Sequence, residues 1–239
     1  MVDSIIITPG YIIRKQPYKE RGFMIDLLTE KLGRVKLFLQ QGRAQKRYSA
    51  NLELFSRSEW TLKPGRTFFF ADAIDLEESI RLGGKLIWSG YYLNELLLRL
   101  FPEYQEDEGL YAAYELALKA LDSNYRIEPA LRFFERLLLM HLGIFPDLSS
   151  DHEDQMIESH RTYFLRRDEG ISRYPRHDAL PLPGGFIQKI EADLPNFNLN
   201  TEEARAYKMM MRYLYEPLLQ GRPLQSRVWL QKLYYPHKS

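Results

Sequence analysis

Apolar and polar residues alternate over two neighbouring runs near the start of the chain. The residues that share a face are Phe23, Ile25 and Leu27 in the first run and Val35, Leu37 and Leu39 in the second. A period of two is typical of a strand with one buried face. Because a short segment ending in Gly33 separates the runs, we predict a β-hairpin formed by Phe23–Thr29 and Arg34–Gln40.

Three further strands are predicted around this hairpin. They are a first strand over Ile5–Ile13, broken or bulged near Pro9-Gly10, a fourth over Leu52–Leu62 and a fifth over Thr67–Ile74. Lys63-Pro64-Gly65-Arg66 is a strong turn signal between the last two. Five short strands in succession indicate a small closed barrel, of which the OB-fold is the five-stranded case.

The apolar spacing becomes helical after Gly83-Gly84. The predicted helices are Leu86–Phe101, a helix containing Leu110–Leu121, one from Glu128-Pro129 to Gly143, one that an Asn200/Glu203 capping box opens and Pro217 bends or ends, and Leu224–Leu233. Prolines and glycines indicate an irregular stretch at about residues 146–200. The predicted fold class is α+β, with a barrel domain over residues 1–80 and a helical domain over residues 81–239.

Positive charge is concentrated in the part of the chain predicted to form the barrel. The 239 residues carry a formal net charge of only +1, but Lys31–Arg66 contains nine Lys or Arg and two acids, a local balance of +7. Such a local excess favours a phosphate-bearing or acidic partner over a neutral metabolite.

The hairpin and the loop after it supply candidate contacts for nucleic acid. Cations and aromatic rings lie together on the polar face of the second hairpin strand and in the segment after Gly42, which is typical of single-strand binding. We predict phosphate contacts from Arg14, Arg34, Lys36, Arg43, Lys46, Arg47 and Arg57, and base stacking from Phe38 and Tyr48. The alternatives are a solvated face with ordinary surface charges and, for the two rings, simple packing.

The sequence predicts no catalytic residue and no metal site. It contains no cysteine, which excludes disulfides and thiolate zinc sites, and no glycine pattern of the dinucleotide or P-loop type. The five histidines are scattered, and the acidic segment around His152 and His160 matches no standard metal spacing. Neither a signal-peptide pattern nor an apolar stretch of about 20 residues is found, so a soluble cytoplasmic protein is expected.

A set of short segments follows one another in a characteristic order. They are Thr29-Glu30, Gly33-Arg34-Val35, Gln41-Gly42-Arg43, Ser89–Leu97, Glu128–Glu135, Leu142-Gly143 and Gly221–Arg227. Each is modestly specific, and the whole set at these spacings is strongly specific. Together they make the chain resemble the RecO family of recombination mediators.

The resemblance implies an N-terminal OB-fold and a helical C-terminal domain. It implies binding of single- and double-stranded DNA, annealing of complementary strands, and work with RecR, and often RecF, in loading RecA onto DNA coated by single-strand-binding protein. We therefore expect a non-enzymatic, nucleoid-associated mediator of DNA repair. The rival hypothesis is a protein-interaction scaffold whose barrel binds a partner chain and touches nucleic acid incidentally.

Two departures from the family pattern bear on these expectations. Some relatives carry a four-cysteine zinc module after the third helix, whereas the corresponding stretch at about Pro146–Gly170 has no cysteine. No zinc and no other cofactor is therefore expected. The basic loop usually begins with a lysine before Gly42, and here that residue is Gln41.

The third predicted helix carries a candidate site for a protein partner. Arg132 and Arg136 are four residues apart and so share one side of the helix, with Phe133 and Leu137 beside them. A solvated, salt-bridged face is the alternative. The resemblance favours a site, because family members bind the acidic, phenylalanine-ended tail of single-strand-binding protein on the helical domain. Arg132 is expected to meet the terminal carboxylate bidentately.

Overall fold

The computed structural model of the chain describes residues 5–18, 22–40, 52–192 and 198–234. Contacts divide the chain into two units, Met1–Tyr125 with Pro223–Ser239, and Arg126–Arg222. Within the described ranges, no helix has the length and apolar character needed to cross a bilayer.

The first unit contains a closed five-stranded barrel. Its strands are β1 (Ile6–Pro17), β2 (Gly22–Thr29), β3 (Gly33–Gln40), β4 (Arg57–Lys63) and β5 (Phe69–Glu78). Their order around the barrel is β1-β2-β3-β5-β4, with β1 and β4 antiparallel where the barrel closes and β3 and β5 parallel. The predicted OB-type barrel is confirmed.

Alternation along β2 and β3 fills the barrel interior as predicted. Ile25 pairs with Leu37 and Leu27 with Val35, and all four side chains are buried in one core cluster. The fully buried Trp60 lies in the same cluster and donates from Nε1 to the carbonyl oxygen of Gly10 at 3.2 Å. A buried indole therefore both fills the core and satisfies its own donor.

The irregularity in β1 lies further along the strand than predicted. Pro9 and Gly10 pair regularly with Glu59 and Ser58 of β4. The register against β2 shifts instead between Ile12 and Arg14. The prediction of a break at Pro9-Gly10 is therefore wrong, and Pro9 lies just before Gly10, the first residue of β1 that pairs with β2.

The fourth strand is shorter than predicted. It begins at Arg57 rather than Leu52, because Phe55 adopts a left-handed backbone conformation (φ 69°) that interrupts extended structure. Leu52 is nevertheless buried in the barrel core, and Leu54 packs against it. The alternation of Leu52 and Leu54 therefore reflects their contact with the core and not an extended strand.

Six α-helices are described outside the barrel. They are α1 (Leu86–Leu100), α2 (Glu108–Asp122), α3 (Ile127–His141), α4 (Gly184–Ala192), α5 (Thr201–Tyr215) and α6 (Gln225–Tyr234), with a 3₁₀ turn at Glu216–Leu219. The predicted Asn200/Glu203 capping box at the start of α5 is confirmed. Its effect is to satisfy amides that the first helical turn leaves without partners.

Two polar side chains of α1 hold the first unit together. The buried Asn94 donates from Nδ2 to the carbonyl oxygen of Ile13 at 3.0 Å and accepts from the Tyr114 hydroxyl at 2.6 Å. Glu95 accepts from the backbone amides of Gln225 and Ser226 at 2.8 and 2.9 Å. A carboxylate at the first turn of α6 also suits the helix dipole.

The second unit contains a small sheet that was not predicted from the sequence. Its strands are β6 (Thr162–Arg166), β7 (Gly170–Ser172) and β8 (Leu180–Pro183), in the order β7-β6-β8. The prediction of irregular structure is wrong for these strands and for α4. Strands of three to five residues are too short to display a period, and Pro181 and Pro183 lie on an edge strand, where a missing amide is tolerated.

The predicted domain boundary at residue 80 falls between β5 and α1. The two compact units divide the chain differently, because α1, α2 and α6 belong to the same unit as the barrel. The division into residues 1–80 and 81–239 stays a prediction.

Gly33 is the position in the barrel at which a side chain should be least tolerated. It has φ +64°, and a Cβ atom there would lie 1.7 Å from the carbonyl oxygen of Gln105. We expect Gly33→Ala to lower the free energy of unfolding by about 2 kcal/mol or more. The measurement is the urea unfolding midpoint, followed by circular dichroism.

Two other glycines provide controls for this variant. Gly84 also has positive φ, at +56°, but no atom lies within 4 Å of the point that a Cβ atom would occupy, and Gly83 has neither constraint. Gly84→Ala should therefore show the backbone strain alone, and Gly83→Ala should be close to neutral. A Gly33→Ala midpoint no lower than that of Gly84→Ala would show that the close approach to Gln105 costs nothing.

Candidate nucleic-acid interface

Four aromatic rings lie together on the outside of the barrel and form what we call the aromatic patch, namely Tyr18, Phe38, Phe68 and Phe70. Phe38 is central: its ring centroid lies 5.9 Å from that of Tyr18, 6.2 Å from Phe68 and 6.3 Å from Phe70. Tyr18 and Phe70 are 37% and 45% exposed. Partly exposed ring faces on a barrel are the platform on which single-stranded bases stack.

The strand geometry explains why these rings converge. Phe38 alternates with the buried Leu37 and Leu39, so it points outward, and it pairs with Phe70 across the parallel β3–β5 ladder. Gly22, the first residue of β2, lies two residues from the Phe38 partner Met24, and a Cβ atom at Gly22 would lie 2.5 Å from Phe38 Cε2. A glycine at this position therefore leaves space for the Phe38 ring.

Only one of the four rings was predicted to stack. Phe38 was selected from the sequence, whereas residues 68–70 were predicted only as part of a strand. The signal for two others was present: Phe68 and Phe70 are two residues apart and so share a face, whereas Phe69 packs against the barrel core. Tyr18 carried no comparable signal.

The predicted loop contacts Arg43, Lys46, Arg47 and Tyr48 lie outside the described residues. The segment that contains them begins directly after Gln40, the last residue of β3, and Phe38 lies two residues earlier. The four contacts therefore stay a prediction.

Two of the predicted phosphate contacts are partly exposed and paired with acids. Arg14 donates from Nε to Asp26 at 2.8 Å, and Lys36 Nζ lies 2.5 Å from Glu103. The exposed fractions of the two cationic side chains are 39% and 38%. A phosphate that approaches either cation competes with a carboxylate that is already in place.

Arg34 differs from the expectation of an exposed phosphate contact, because it is buried. Its Nε donates to the carbonyl oxygen of Phe101 at 2.9 Å, and Nη1 lies 3.4 Å from carboxylate oxygens of both Asp26 and Glu103. Residues 101–107, which we call the connector, lie along β3, and the Tyr104 amide donates to the Arg34 carbonyl oxygen at 2.9 Å. Arg34 thus binds the connector rather than facing solvent.

Arg57 is also engaged within the protein. It lies 3.1 Å from Glu77, and its interaction with the Tyr111 phenol raises the pKa of the Arg57 guanidinium. Burial raises the pKa of Tyr111 to about 12, against which Arg57 acts in the opposite direction. Arg57 is therefore a cation beside a neutral phenol, with a little over a quarter of its side chain exposed.

Lys15 is an exposed cation of β1 that was not among the predicted contacts. Its Nζ donates to the carbonyl oxygen of Leu52 at 3.0 Å and lies 5.2 Å from the centroid of the Phe23 ring. In the part of the chain that the structure describes, it forms no ion pair with an acid. Its charge is therefore less compensated than those of Arg14 and Lys36.

Two of the four residues predicted to form a partner site on α3 are buried. Arg132 and Arg136 are buried: Arg132 lies 2.8 Å from Glu135, and Arg136 donates to Glu191 at 2.9 Å and to the Ile190 carbonyl oxygen at 2.7 Å. Phe133 and Leu137 are half-buried and remain accessible in part. The two arginines therefore bind groups within the second unit instead of facing solvent.

Hydrogen bonds to Asp151 organise the acidic segment near His152. Asp151 accepts from the amides of Glu153 and Gln155 and contacts the guanidinium of Arg173 at 2.5 Å. Although burial opposes ionisation, these donors lower the pKa of Asp151. Among the described residues, no group of three or more His, Asp or Glu side chains could hold a metal ion.

Comparison with known proteins assigns the chain to a family. Models described as Recombination protein O N terminal and C terminal match residues 1–79 and 85–227. The chain is 33% identical to the DNA repair protein RecO of Cellvibrio japonicus over 228 residues, which are 92% of this chain and 94% of that relative. The chain belongs to the RecO family. The RecO resemblance inferred from the short segments is thus confirmed.

A second relative gives the same result. The DNA repair protein RecO of Pseudomonas putida strain GB-1 is 33% identical over 229 residues, which are 94% of this chain and 96% of the relative. RecO proteins are DNA repair and recombination proteins, and the barrel strands lie within the residues that the N-terminal model matches, whereas α1 to α5 lie within those that the C-terminal model matches. The match spans both compact units of the chain.

The contrast between Arg34 and Lys36 generates a prediction about stability in this RecO chain. Arg34→Ala leaves the buried Asp26 with Arg14 alone and removes the donor to Phe101, so we expect a loss of about 2 kcal/mol or more. Lys36→Ala removes a partly exposed pair and should cost less than about 1 kcal/mol. Urea unfolding of both variants checks the difference, and equal losses would contradict the structural role of Arg34.

Proposed function

We propose that this RecO chain is a non-enzymatic recombination mediator that binds single- and double-stranded DNA and anneals complementary strands. With RecR, and with RecF where it takes part, it helps to load RecA onto DNA coated by single-strand-binding protein. The observation that carries the proposal is family membership across both halves of the chain. The aromatic patch supports it, because stacking platforms on small barrels suit single strands.

The physical basis of annealing in this proposal is charge neutralisation. Two DNA strands repel each other through their phosphates, and lysine or arginine side chains that displace counterions reduce that repulsion. The rings of the aromatic patch hold bases transiently without reading their identity, which leaves the bases free to pair. Neither step requires a catalytic group.

The proposed phosphate contacts follow the exposure of each cation. Arg34 is withdrawn from the set, because its guanidinium is buried among acceptors of the protein. The main candidates remain Arg43, Lys46 and Arg47, which were predicted from the sequence, with Tyr48 as a further stacking residue. Arg14, Lys36 and Arg57 contribute in competition with their carboxylates, and Lys15 is added.

The first test separates phosphate contacts from base contacts. If Arg43, Lys46 and Arg47 each neutralise a phosphate, replacing all three by Ala should flatten the slope of log affinity against log salt by about 2, since each contact contributes about 0.7 for a single strand. Phe70→Ala should instead weaken binding by about 1–3 kcal/mol and leave the slope unchanged. Fluorescence anisotropy of a labelled oligonucleotide at several salt concentrations measures both.

Annealing assays and a pulldown complete this test. The triple variant should anneal complementary strands more slowly in proportion to its loss of affinity, and unrelated DNA sequences should be affected alike, because phosphate contacts carry no base information. A wild-type chain that is not retained on immobilised single-stranded DNA at low salt, yet binds RecR, would favour the protein-interaction scaffold. A triple variant with wild-type slope and annealing would remove the loop from the interface.

We also propose that the tail of single-strand-binding protein docks on α3 at Phe133 and Leu137. Because Arg132 is buried against Glu135, Arg132→Ala should destabilise the second unit and does not test docking cleanly. Phe133→Ala should weaken binding of an acidic, phenylalanine-ended peptide by about 1–3 kcal/mol and leave DNA affinity unchanged. Met140→Ala, at an exposed position of the same helix, is the control. Isothermal titration with the peptide gives the answer, and equal affinities for Phe133→Ala and wild type would place the tail elsewhere.

A further inference from the structure

We propose that a pocket between β1, α1 and α6 binds one unstacked base of single-stranded DNA. The pocket has a volume of about 410 Å³, lies wholly within the first unit, and includes Trp88, Tyr91 and Trp229 in its walls. It shares no lining residue with the aromatic patch. The inference rests on the proposed DNA-binding function and names a second place at which that function is carried out.

Aromatic side chains from two helices line the pocket. Trp88 and Tyr91 are three residues apart on α1, and their ring centroids lie 5.6 Å apart. Trp229 of α6 is 50% exposed, and Lys232 Nζ lies 5.4 Å from its ring centroid. Large aromatic side chains left open in a concave site favour a flat, apolar-faced ligand, and every nucleobase has such a face.

The charges at the pocket favour a ligand with an attached phosphate. Arg14 and Lys15 line it from β1. Glu95 is the one acid among its described lining residues, and its carboxylate is occupied by the Gln225 and Ser226 amides and the Ser226 hydroxyl. Glu95 also lies 4.0 Å from Arg99, and Arg14 pairs with Asp26, so Lys15 supplies the least compensated charge at the pocket, and that charge is positive.

The polar groups of the pocket favour a base over a peptide. Asn94 already donates to the Ile13 carbonyl oxygen and accepts from Tyr114, and the Ser226 hydroxyl donates to Glu95. A bound peptide would bring backbone amides and carbonyls that need directional partners. A stacked base needs ring faces and nearby cations, which is the combination that this pocket presents, and it is bound without regard to its identity.

Tryptophan fluorescence provides a direct test with the full-length chain. Of the three tryptophans, Trp60 is fully buried in the barrel, so a base entering the pocket should quench Trp88 and Trp229 selectively. The probes are oligo(dT) and an oligonucleotide of the same length and phosphate count in which abasic sites replace the bases. We expect oligo(dT) to quench the fluorescence and the abasic strand to bind more weakly without quenching.

Substitutions on α6 locate the effect. Trp229→Ala should lower affinity for oligo(dT) by about tenfold, with no change for the abasic strand, and Trp229→Phe should recover most of the loss because it keeps a ring. Leu233→Ala is the matched control, since Leu233 is exposed on the same helix but does not line the pocket. Anisotropy at one salt concentration measures all four proteins.

The outcomes distinguish this inference from the proposed function. If the wild-type chain binds no oligonucleotide, the proposed function fails and the pocket with it. If it binds oligo(dT) without quenching, and Trp229→Ala binds equally well, the pocket is not a base site although DNA binding stands. If Trp229→Ala keeps its DNA affinity but loses binding to RecR, the pocket is a protein-docking surface and the inference is overturned.

Discussion

One buried guanidinium joins the barrel to the structure outside it. Arg34 contacts Asp26 on the neighbouring strand and, through Phe101 and Glu103, the connector that runs from α1 to α2. A buried cation without such acceptors would carry a large desolvation penalty, so the connector cannot leave β3 without incurring that penalty. The helices at both ends of the connector are thereby held near the barrel, and α1 in turn supplies one wall of the pocket.

The barrel was predictable because the same rule acts on every strand. A strand with one face in the core has a period of two, and the core residues of β2 and β3 follow it, although Asp26, Leu28 and Arg34 on the opposite face are buried as well. Alternation says which side of a strand faces inward, but it does not say whether another segment covers the outward side. Arg34 and Phe38 share the outward side of β3, yet the connector buries the first and leaves the second half-exposed.

The same limit applies to the helices, because the spacing of residues along a helix does not show which of its sides another segment covers. The spacing of Arg132 and Arg136 placed them on one side of α3, which the structure bears out, but the acid that engages Arg136 lies 55 residues further along the chain. Sequence spacing alone cannot distinguish a solvated ion pair from one covered by a later helix. The short strands β6 to β8 were not predicted for a different reason. They are defined by their hydrogen-bonded pairing with one another, which their individual sequences do not indicate.

The contacts of Glu95 have a consequence for the order in which the chain is made. Its carboxylate receives amides from Gln225 and Ser226, about 130 positions later in the sequence. At bacterial synthesis rates of about 5–20 residues per second, that separation corresponds to on the order of ten seconds. During this interval the five strands of the barrel have already been synthesised, while Glu95 of α1 still lacks the amides of α6. The first unit is therefore the last to be completed on the ribosome, although it is the first to emerge.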